Sequence, residues 1–255
     1  MLDTMDLSWK VAMRNWAIYR KFLFSNIIPT LADPAFFILS FGIGLGGFVS
    51  QIDGMSYTQF MGPGLATSTA LMTAFFSTSY NFYVRLFYEG ITHAMLTTPV
   101  GPREIIFGEF IWVGLKSAGM SMGVVLVLLC FGLVDYHYLW AVPFVSLFVG
   151  LACGGMGLIS TAMVESINQF QTVYAVVISP IFFFSGVFFP INQFPVVLQW
   201  LAHLSPLYHG VVINQQLLWG KPNLFLILTH SLELLVLSMI LCFIAYKLIY
   251  PKMER

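Results

Sequence analysis

The chain has 255 residues, of which 58 % are hydrophobic and only 9 % are charged, and its formal net charge is zero. Soluble domains usually have about 25 % charged residues, so a water-soluble fold of this composition would lack the polar residues to cover its surface. The composition therefore indicates an all-α integral membrane protein. A zero net charge also argues against the basic surface of nucleic-acid-binding proteins, and we expect no nucleic-acid partner.

Residues 1–26 are predicted to form an amphipathic helix that lies in the membrane interface. We expect no cleavable signal peptide here, because the segment mixes polar and apolar residues where such a signal has one apolar run. Its larger apolar residues recur every three or four positions and its charged residues occupy another face, the two sets being Met5, Trp9, Ala12, Trp16, Tyr19 and Leu23, and Asp6, Lys10, Arg14 and Lys21. Trp and Tyr favour the depth of the lipid headgroups. A soluble helix that packs on a partner is the alternative.

Six stretches are long and apolar enough to cross a bilayer, for which about 20 residues are needed. They are residues 27–49, 58–82, 105–133, 140–164, 171–189 and 225–249. Prolines and polar residues divide the segment 190–224 into pieces that are too short to span. We expect these pieces to form short re-entrant outer helices between spans 5 and 6, where protein can satisfy the backbone polar groups.

Positive charge predicts the orientation of the spans, because basic residues concentrate in cytoplasmic loops. All basic residues except Lys221 fall before span 1, in or near the loop between spans 2 and 3, or at the end of span 6: Lys10, Arg14, Arg20, Lys21, Arg85, Arg103, Lys116, Lys247, Lys252 and Arg255. We therefore expect both termini and the loop 83–104 in the cytoplasm, with 190–224 on the outer side.

The sequence has no nucleotide-binding or hydrolase motif. The stretch GEFIWVGLKS (108–117) resembles a P-loop only superficially, because five residues separate its glycines and Leu115 precedes Lys116. The three cysteines, Cys130, Cys153 and Cys242, lie inside apolar runs without a CxxC pair. Their number and spacing argue against a disulfide framework or a zinc site. We expect no metal site and no catalytic residue.

Ionisable residues inside or near the spans are costly there and suggest function. They are Asp33, Glu109, Lys116, Glu165, His230 and Glu233. Each also has a structural interpretation. Asp33 followed by Pro34 is typical of a helix start, Lys116 can extend its ammonium to the interface, and His230 and Glu233 can pair as i,i+3 neighbours.

Small and aromatic residues predict how the spans pack. Glycines cluster in spans 1, 3 and 4 and should allow close helix packing, the positions being Gly42, Gly44, Gly46, Gly47, Gly119, Gly123, Gly150, Gly154, Gly155 and Gly157. Span 5 is instead rich in phenylalanine, as in PIFFFSGVFFP (180–190). Such a helix either faces lipid or forms a bulky gate or a path for amphiphiles.

Three stretches resemble the permeases of ABC-2-type transporters. They are DPAFFILSFGIGLG (33–46), EGITHAMLTTPVGPREIIFGE (89–109) and SPIFFFSGVFFPINQFPVVLQWLAHLSPLYH (179–209). In that family the second stretch follows span 2, as a glycine, a short amphipathic helix ending in Leu-x-Thr-Pro, and then the start of span 3. The chain is most similar to the NodJ-like subgroup, whose best-known members export lipo-chitooligosaccharides.

The resemblance implies a motor on a separate chain. Such permeases form dimers, here a homodimer, on two ATPase subunits that bind ATP and Mg, so this chain would need no cofactor of its own. The helix between spans 2 and 3 would be the coupling helix, and residues 1–26 the connecting helix. This chain has His93 where many members have an acidic residue, with Glu89 one turn earlier. The expected ATPase-coupling residues are Leu86, Tyr88, Glu89, Gly90, Ile91, Thr92, His93, Met95 and Leu96.

The expected function is that of the permease subunit of an ATP-driven exporter in the bacterial cytoplasmic membrane, with residues 1–255 as one transmembrane domain. Its substrate would be an amphiphile that carries a glycan or a lipid. Candidates to line the path through spans 1, 2 and 5 are Phe41, Thr69, Tyr80, Phe183 and Phe188. One alternative is an intramembrane enzyme that uses His203, His209, His230 and Glu233. Another is an ATP-independent channel or scaffold.

Overall fold

The computed structural model describes residues 4–44, 51–52, 54–220 and 222–253. Within these ranges the chain is helical, apart from loops and one isolated bridge between Ile52 and Met55. The predictions that concerned Gly46, Gly47, Lys221 and Arg255 lie outside the described residues.

Twelve α-helices follow one another along the described ranges. They are α1 (Thr4–Lys21), α2 (Leu23–Gly44), α3 (Tyr57–Thr78), α4 (Tyr80–Tyr83), α5 (Ile91–Leu96), α6 (Pro102–Cys130), α7 (Val142–Met163), α8 (Gln169–Val173), α9 (Ser179–Phe184), α10 (Val196–His203), α11 (Pro206–Leu218) and α12 (Leu224–Met253). Two π-helical turns interrupt the series. Val84–Tyr88 continues α4, and Tyr174–Ile178 joins α8 to α9.

Four described helices are long and apolar enough to cross a membrane: Leu23–Gly42, Pro102–Cys130, Leu139–Met163 and Leu224–Met253. The helices α10 and α11 would add a fifth only as one broken unit, since they are bent by 89°. Four of the six predicted spans are thereby confirmed by length and composition. The helix α3 lies where span 2 was predicted but is more polar, and the run Gln169–Phe184 at predicted span 5 is shorter.

The predicted helix start at Asp33 and Pro34 is wrong. The helix α2 begins at Leu23 and continues through Pro29 and Pro34 to Gly44. Proline removes one backbone donor and usually breaks a helix in water. Membrane helices tolerate it, because neighbouring helices and local adjustment satisfy the freed carbonyl groups.

The body of the protein is a bundle in which α3, α6 and α7 pack on one another, α12 packs on α7 and α1 lies along α6. The glycines of α7 allow this close packing. A Cβ atom at Gly157 would lie 2.9 Å from the carbonyl oxygen of Phe75 in α3, and one at Gly155 would lie 2.9 Å from the backbone of Leu241 in α12. Neither helix can approach α7 so closely if those positions carry side chains.

Candidate functional site

The segment between α3 and α6 reverses the direction of the chain through the π-helical turn Val84–Tyr88 and the short helix α5. Gly90 precedes α5 with a φ angle of 64°. This is the left-handed region, which glycine adopts without the steric cost that other residues pay. The connection between α3 and α6 ends at Gly101, whose N–H donates to Oε2 of Glu104 at 3.0 Å as α6 begins. We call residues 84–97 of this connection the coupling segment, after the role that the sequence predicts for it.

Arg85 in this segment forms an ion pair with Glu109 in α6. Its Nη1 donates to Oε1 at 2.8 Å and its Nη2 donates to Oε2 at 2.9 Å. The Glu109 side chain has no exposed surface. Burial disfavours the charged guanidinium, but the adjacent Glu109 carboxylate outweighs this and holds the pKa of Arg85 above its usual value. Two parallel hydrogen bonds are the strongest geometry for an Arg–carboxylate pair.

Asn15 of α1 joins the same ion pair. Its Nδ2 donates to Oε1 of Glu109 at 2.8 Å, and its Oδ1 accepts from Nη1 of Arg85 at 3.0 Å. We call Asn15, Arg85 and Glu109 the junction cluster. Breaking a buried ion pair by removing one partner costs about 3–5 kcal/mol. The cluster therefore ties α1, the coupling segment and α6 into one unit.

The coupling segment presents only part of its surface outwards. Leu86 and Thr92 are buried, and Met95 and Leu96 pack against the apolar cluster that contains Ile105. Gly90 and Ile91 are half-buried. Six side chains of the segment are exposed, those of Phe87, Tyr88, Glu89, His93, Ala94 and Thr97. We call the four larger ones, Phe87, Tyr88, Glu89 and His93, the coupling face. Three of the nine predicted coupling residues thus lie on it, and the apolar ones hold the segment against the bundle.

A cleft of about 390 Å³ lies between α2, α3, α6 and the stretch from Tyr174 to Phe182. Its polar lining residues are Asn26, Thr30, Asp33, Ser68, Thr69, Thr73, Ser77, Asn81 and Lys116. Its apolar lining residues are Pro29, Pro34, Phe37, Leu65, Met72, Phe76, Met120, Tyr174 and Phe182. A lining that mixes hydroxyl, amide and charged groups with aromatic rings suits a molecule with polar and apolar parts.

An aromatic cluster joins α2 to α9 beside this cleft. The ring of Phe188 lies 5.9 Å from that of Phe41 and 5.8 Å from that of Phe183, between ring centroids. Phe37 and Phe182 also contact Phe188, at 5.8 Å and 5.2 Å, and both line the cleft. We call these five residues the Phe188 cluster. Such ring pairs stabilise a contact beyond the area that they bury.

The structure brings together four of the five predicted path residues. Phe41, Phe183 and Phe188 belong to the Phe188 cluster, and Thr69 lines the cleft next to it. Tyr80 lies apart from this cluster, half-exposed, with its ring 6.4 Å from that of Phe170. The sequence interpretation missed Asn15 and Phe37. Phe37 lies four positions before Phe41, which is the helical spacing that could have identified it.

A second cavity of about 420 Å³ lies between α1 and α6. Its lining is largely apolar and includes Trp9, Trp16, Tyr19 and Trp112. The ammonium of Lys116 lies 5.1 Å from the ring centroid of Tyr19, within the range of a cation–π interaction. The apolar face predicted for α1 is therefore directed partly at α6, with rings of the kind that favour membrane interfaces.

Comparison with known proteins gives these elements a family. Residues 7–219 match the family described as ABC-2 type transporter. The chain is 33 % identical to Nodulation protein J of Rhizobium leguminosarum bv. viciae over 222 residues, which cover 85 % of this chain and 84 % of that protein. It is 31 % identical to Nodulation protein J of Rhizobium meliloti (strain 1021), over 82 % of this chain and 80 % of that protein.

A more distant relative has a name that describes transport. The chain is 22 % identical to the Inner membrane transport permease YadH of Escherichia coli (strain K12), over 81 % of this chain and 82 % of that protein. The family match covers most of α1 and all of the coupling segment, the cleft and the Phe188 cluster. The chain is therefore a membrane transport permease that belongs to the ABC-2 type transporter family.

Proposed function

We propose that this chain is the permease subunit of an ATP-driven exporter, that it works as a homodimer on two ATPase subunits in the bacterial cytoplasmic membrane, and that its substrate is an amphiphile such as a lipo-oligosaccharide. Both termini and the coupling segment lie in the cytoplasm, and α3 and the run Gln169–Phe184 complete six spans. The inner-membrane name of one relative supports the location. The distribution of basic residues supports the orientation.

The junction cluster is the observation that carries this proposal. A motor that pushes on the coupling face acts on a segment whose Arg85 is bound to Glu109 in α6 and to Asn15 in α1. A segment with no buried polar contact would absorb the push by local bending. The buried ion pair instead transmits it to a long membrane helix and to the helix at the interface.

The cleft and the Phe188 cluster are the proposed path for the substrate. Lys116 and Asp33 supply charge in the cleft, and the Ser and Thr residues of α3 supply hydroxyl groups that suit a sugar or a lipid headgroup. The phenylalanines of α2 and α9 supply a wall for an acyl chain. Movement of α6 relative to α2 and α3 would change the width of this cleft, because the cleft includes Lys116 and Met120 of α6.

Site-specific photo-crosslinking tests the proposed contact with the ATPase. The photoreactive amino acid p-benzoylphenylalanine replaces Tyr88, which is 66 % exposed on the coupling face, in the full chain expressed with its neighbouring genes. The matched control replaces Tyr136, which is 67 % exposed in the loop after the other end of α6. We expect light to link position 88 to an ATPase subunit identified by mass spectrometry, with a yield that changes when ATP is trapped by vanadate.

The same experiment can reject the proposal. Equal crosslinking of an ATPase at positions 88 and 136 would show that the coupling face is not the specific contact. Full ATP-dependent transport by a variant that lacks residues 88–97 would likewise end the assignment of the coupling segment. Transport that continues after the ATPase gene is deleted would favour an ATP-independent channel.

A further inference from the structure

Two buried imidazoles and one carboxylate converge where α11 meets α12. Nδ1 of His209 in α11 lies 2.8 Å from Nδ1 of His230 in α12. Oε2 of Glu233, one turn after His230, lies 3.0 Å from the first nitrogen and 3.2 Å from the second. Both histidines are buried, while the Glu233 side chain is 49 % exposed. Among the described residues, no other group of His, Cys, Asp and Glu side chains converges in this way.

A count of the protons shows that these three atoms have at most one donor among them while the histidines are neutral. Nε2 of His209 lies 2.8 Å from the carbonyl oxygen of His203, an acceptor, so this nitrogen carries the proton of a neutral His209 ring. Nδ1 of His209 then carries a lone pair, which faces Oε2 of Glu233 and Nδ1 of His230. One proton on His230 can satisfy His209 or Glu233 but not both. A cation between the three atoms removes the repulsion that remains.

The donor set selects the class of cation. Two imidazole nitrogens with one carboxylate oxygen suit a divalent transition metal such as zinc, whereas calcium and magnesium prefer oxygen ligands. Ligand atoms at tetrahedral zinc–ligand distances are about 3.3 Å apart. The observed separations of 2.8 to 3.2 Å need to widen by only a few tenths of an ångström.

The surroundings match those of known metal sites. Metal-binding histidines usually donate their other ring N–H to a carbonyl or carboxylate group, which fixes the ring orientation. The carbonyl of His203 does this for His209. The spacing of His230 and Glu233 by three residues places both on one face of α12, as in metal sites built on helices.

We propose that His209, His230 and Glu233 bind one divalent transition-metal ion of the zinc type, which links α11 to α12. The two histidines supply buried ligands on different helices. The half-exposed Glu233 supplies the third ligand and leaves the fourth position open to water. This site is independent of the coupling segment, since the junction cluster involves α1, the π-helical turn and α6.

Metal titration of the full chain in detergent tests the site. The protein carries an affinity tag without histidines, is stripped with a chelator, and is titrated with Zn²⁺ and with Co²⁺. We expect one equivalent to bind, with the intense visible absorption bands of tetrahedral Co²⁺. Glu233→Gln and His230→Asn should each weaken binding by at least about 100-fold, the upper range for losing an outer-shell partner.

Two histidine variants serve as controls. His137→Asn removes an exposed histidine that pairs with Asp135 outside the cluster. His203→Ala removes a ring but keeps the carbonyl group that orients His209. Both should keep one equivalent of metal with unchanged Co²⁺ bands. Because Glu233 is half-exposed, Glu233→Gln should fold normally. If His230→Asn does not fold, the metal affinity of Glu233→Gln alone tests the site.

The proposal fails if the unaltered chain binds Zn²⁺ no more tightly than Glu233→Gln does. It also fails if His137→Asn weakens binding as much as His230→Asn. In the first case the three side chains form a hydrogen-bonded group around a protonated imidazole. In the second case the metal is bound elsewhere. Neither result affects the crosslinking test of the coupling face.

Discussion

Arg85 and Glu109 are 24 positions apart in the sequence, yet they meet through two parallel hydrogen bonds of 2.8 and 2.9 Å, with the carboxylate fully buried. Asn15 of α1 binds both side chains. Two charges inside the bundle are thus satisfied by each other and by one amide. The pair holds the start of the coupling segment to α6, and we expect its loss to affect both stability and coupling.

Glu109→Gln should lower the free energy of unfolding by roughly 3–5 kcal/mol, because it leaves the Arg85 guanidinium without its counter-charge. It should also reduce the stimulation of ATP hydrolysis by substrate in the assembled transporter. The measurements are thermal unfolding in detergent and ATPase assays in proteoliposomes. Glu165→Gln, at an exposed carboxylate, is the control and should change neither.

A double variant separates stability from coupling. Replacing both partners by apolar residues, Arg85→Met with Glu109→Leu, removes the unpaired charge and should restore most of the lost stability. It should not restore coupling, because no directional contact joins the two elements. If the double variant couples normally, the ion pair serves stability alone.

Gly90→Ala should destabilise the coupling segment by about 1–2 kcal/mol, because its φ of 64° is unfavourable for a residue with a Cβ. The space around Gly90 is open, with no neighbouring atom within 4 Å of the position that a Cβ would occupy, so the effect is conformational and not steric. Gly90→Asn should cost less, since Asn adopts this conformation more readily than Ala. Hydrogen exchange of α5 measures the local effect. Equal exchange in all three proteins would contradict this explanation.

The apolar runs of the sequence located α2, α3, α6, α7 and α12, but they did not show how α3 buries its hydroxyl groups. The hydroxyl groups of this helix donate to its own backbone: Thr67 to the carbonyl of Pro63, Ser68 to that of Gly64, and Thr69 to that of Leu65. These bonds allow polar residues to be buried, whereas a hydropathy scale counts each one as a cost. Composition alone therefore could not show how well this helix suits the bundle.

The junction cluster could not be predicted for a different reason. Arg85 and Glu109 are separated by α5 and by the proline-rich stretch before α6, and no helical spacing relates them. The sequence predicts a coupling helix between spans 2 and 3, but it does not predict an ion pair between this segment and span 3. This stretch has five charged residues, namely Arg85, Glu89, Arg103, Glu104 and Glu109. Arg85 and Glu109 pair with each other and Glu104 caps α6, so the exposed charges are those of Glu89 and Arg103.

Gly157→Ala should lower the free energy of unfolding by about 1–3 kcal/mol, the usual cost of overpacking. The added methyl group would lie 2.9 Å from the carbonyl oxygen of Phe75 and 3.1 Å from the backbone nitrogen of Ser79, so α3 and α7 must separate. Gly119→Ala is the control, because nothing lies within 4 Å of its Cβ position. Thermal unfolding in detergent measures both. A loss of similar size at Gly119 would contradict this explanation, because Ala favours the helix more than Gly does and its methyl group meets no neighbouring atom there.

Thr73→Phe should reduce transport while the complex still assembles and hydrolyses ATP. Thr73 lines the cleft and is only partly buried, so a phenyl ring there fills space that the substrate would need. The control is Thr229→Phe on α12, a partly exposed position that does not line the cleft. The assay is uptake of a fluorescent lipo-oligosaccharide into inside-out vesicles. Normal uptake by Thr73→Phe would exclude the cleft as the path.

The π-helical turn Val84–Tyr88 determines how Glu89 and α5 are rotated about the helix axis relative to α4. A π turn accommodates one residue more than an α turn, and one residue corresponds to a rotation of about 100° about the helix axis. Deleting a single residue here would convert the turn to an α turn and swing Glu89 and α5 around the axis while Arg85 stayed bound to Glu109. A substitution in this turn leaves that rotation unchanged. A one-residue deletion is therefore the more severe mutation at this point.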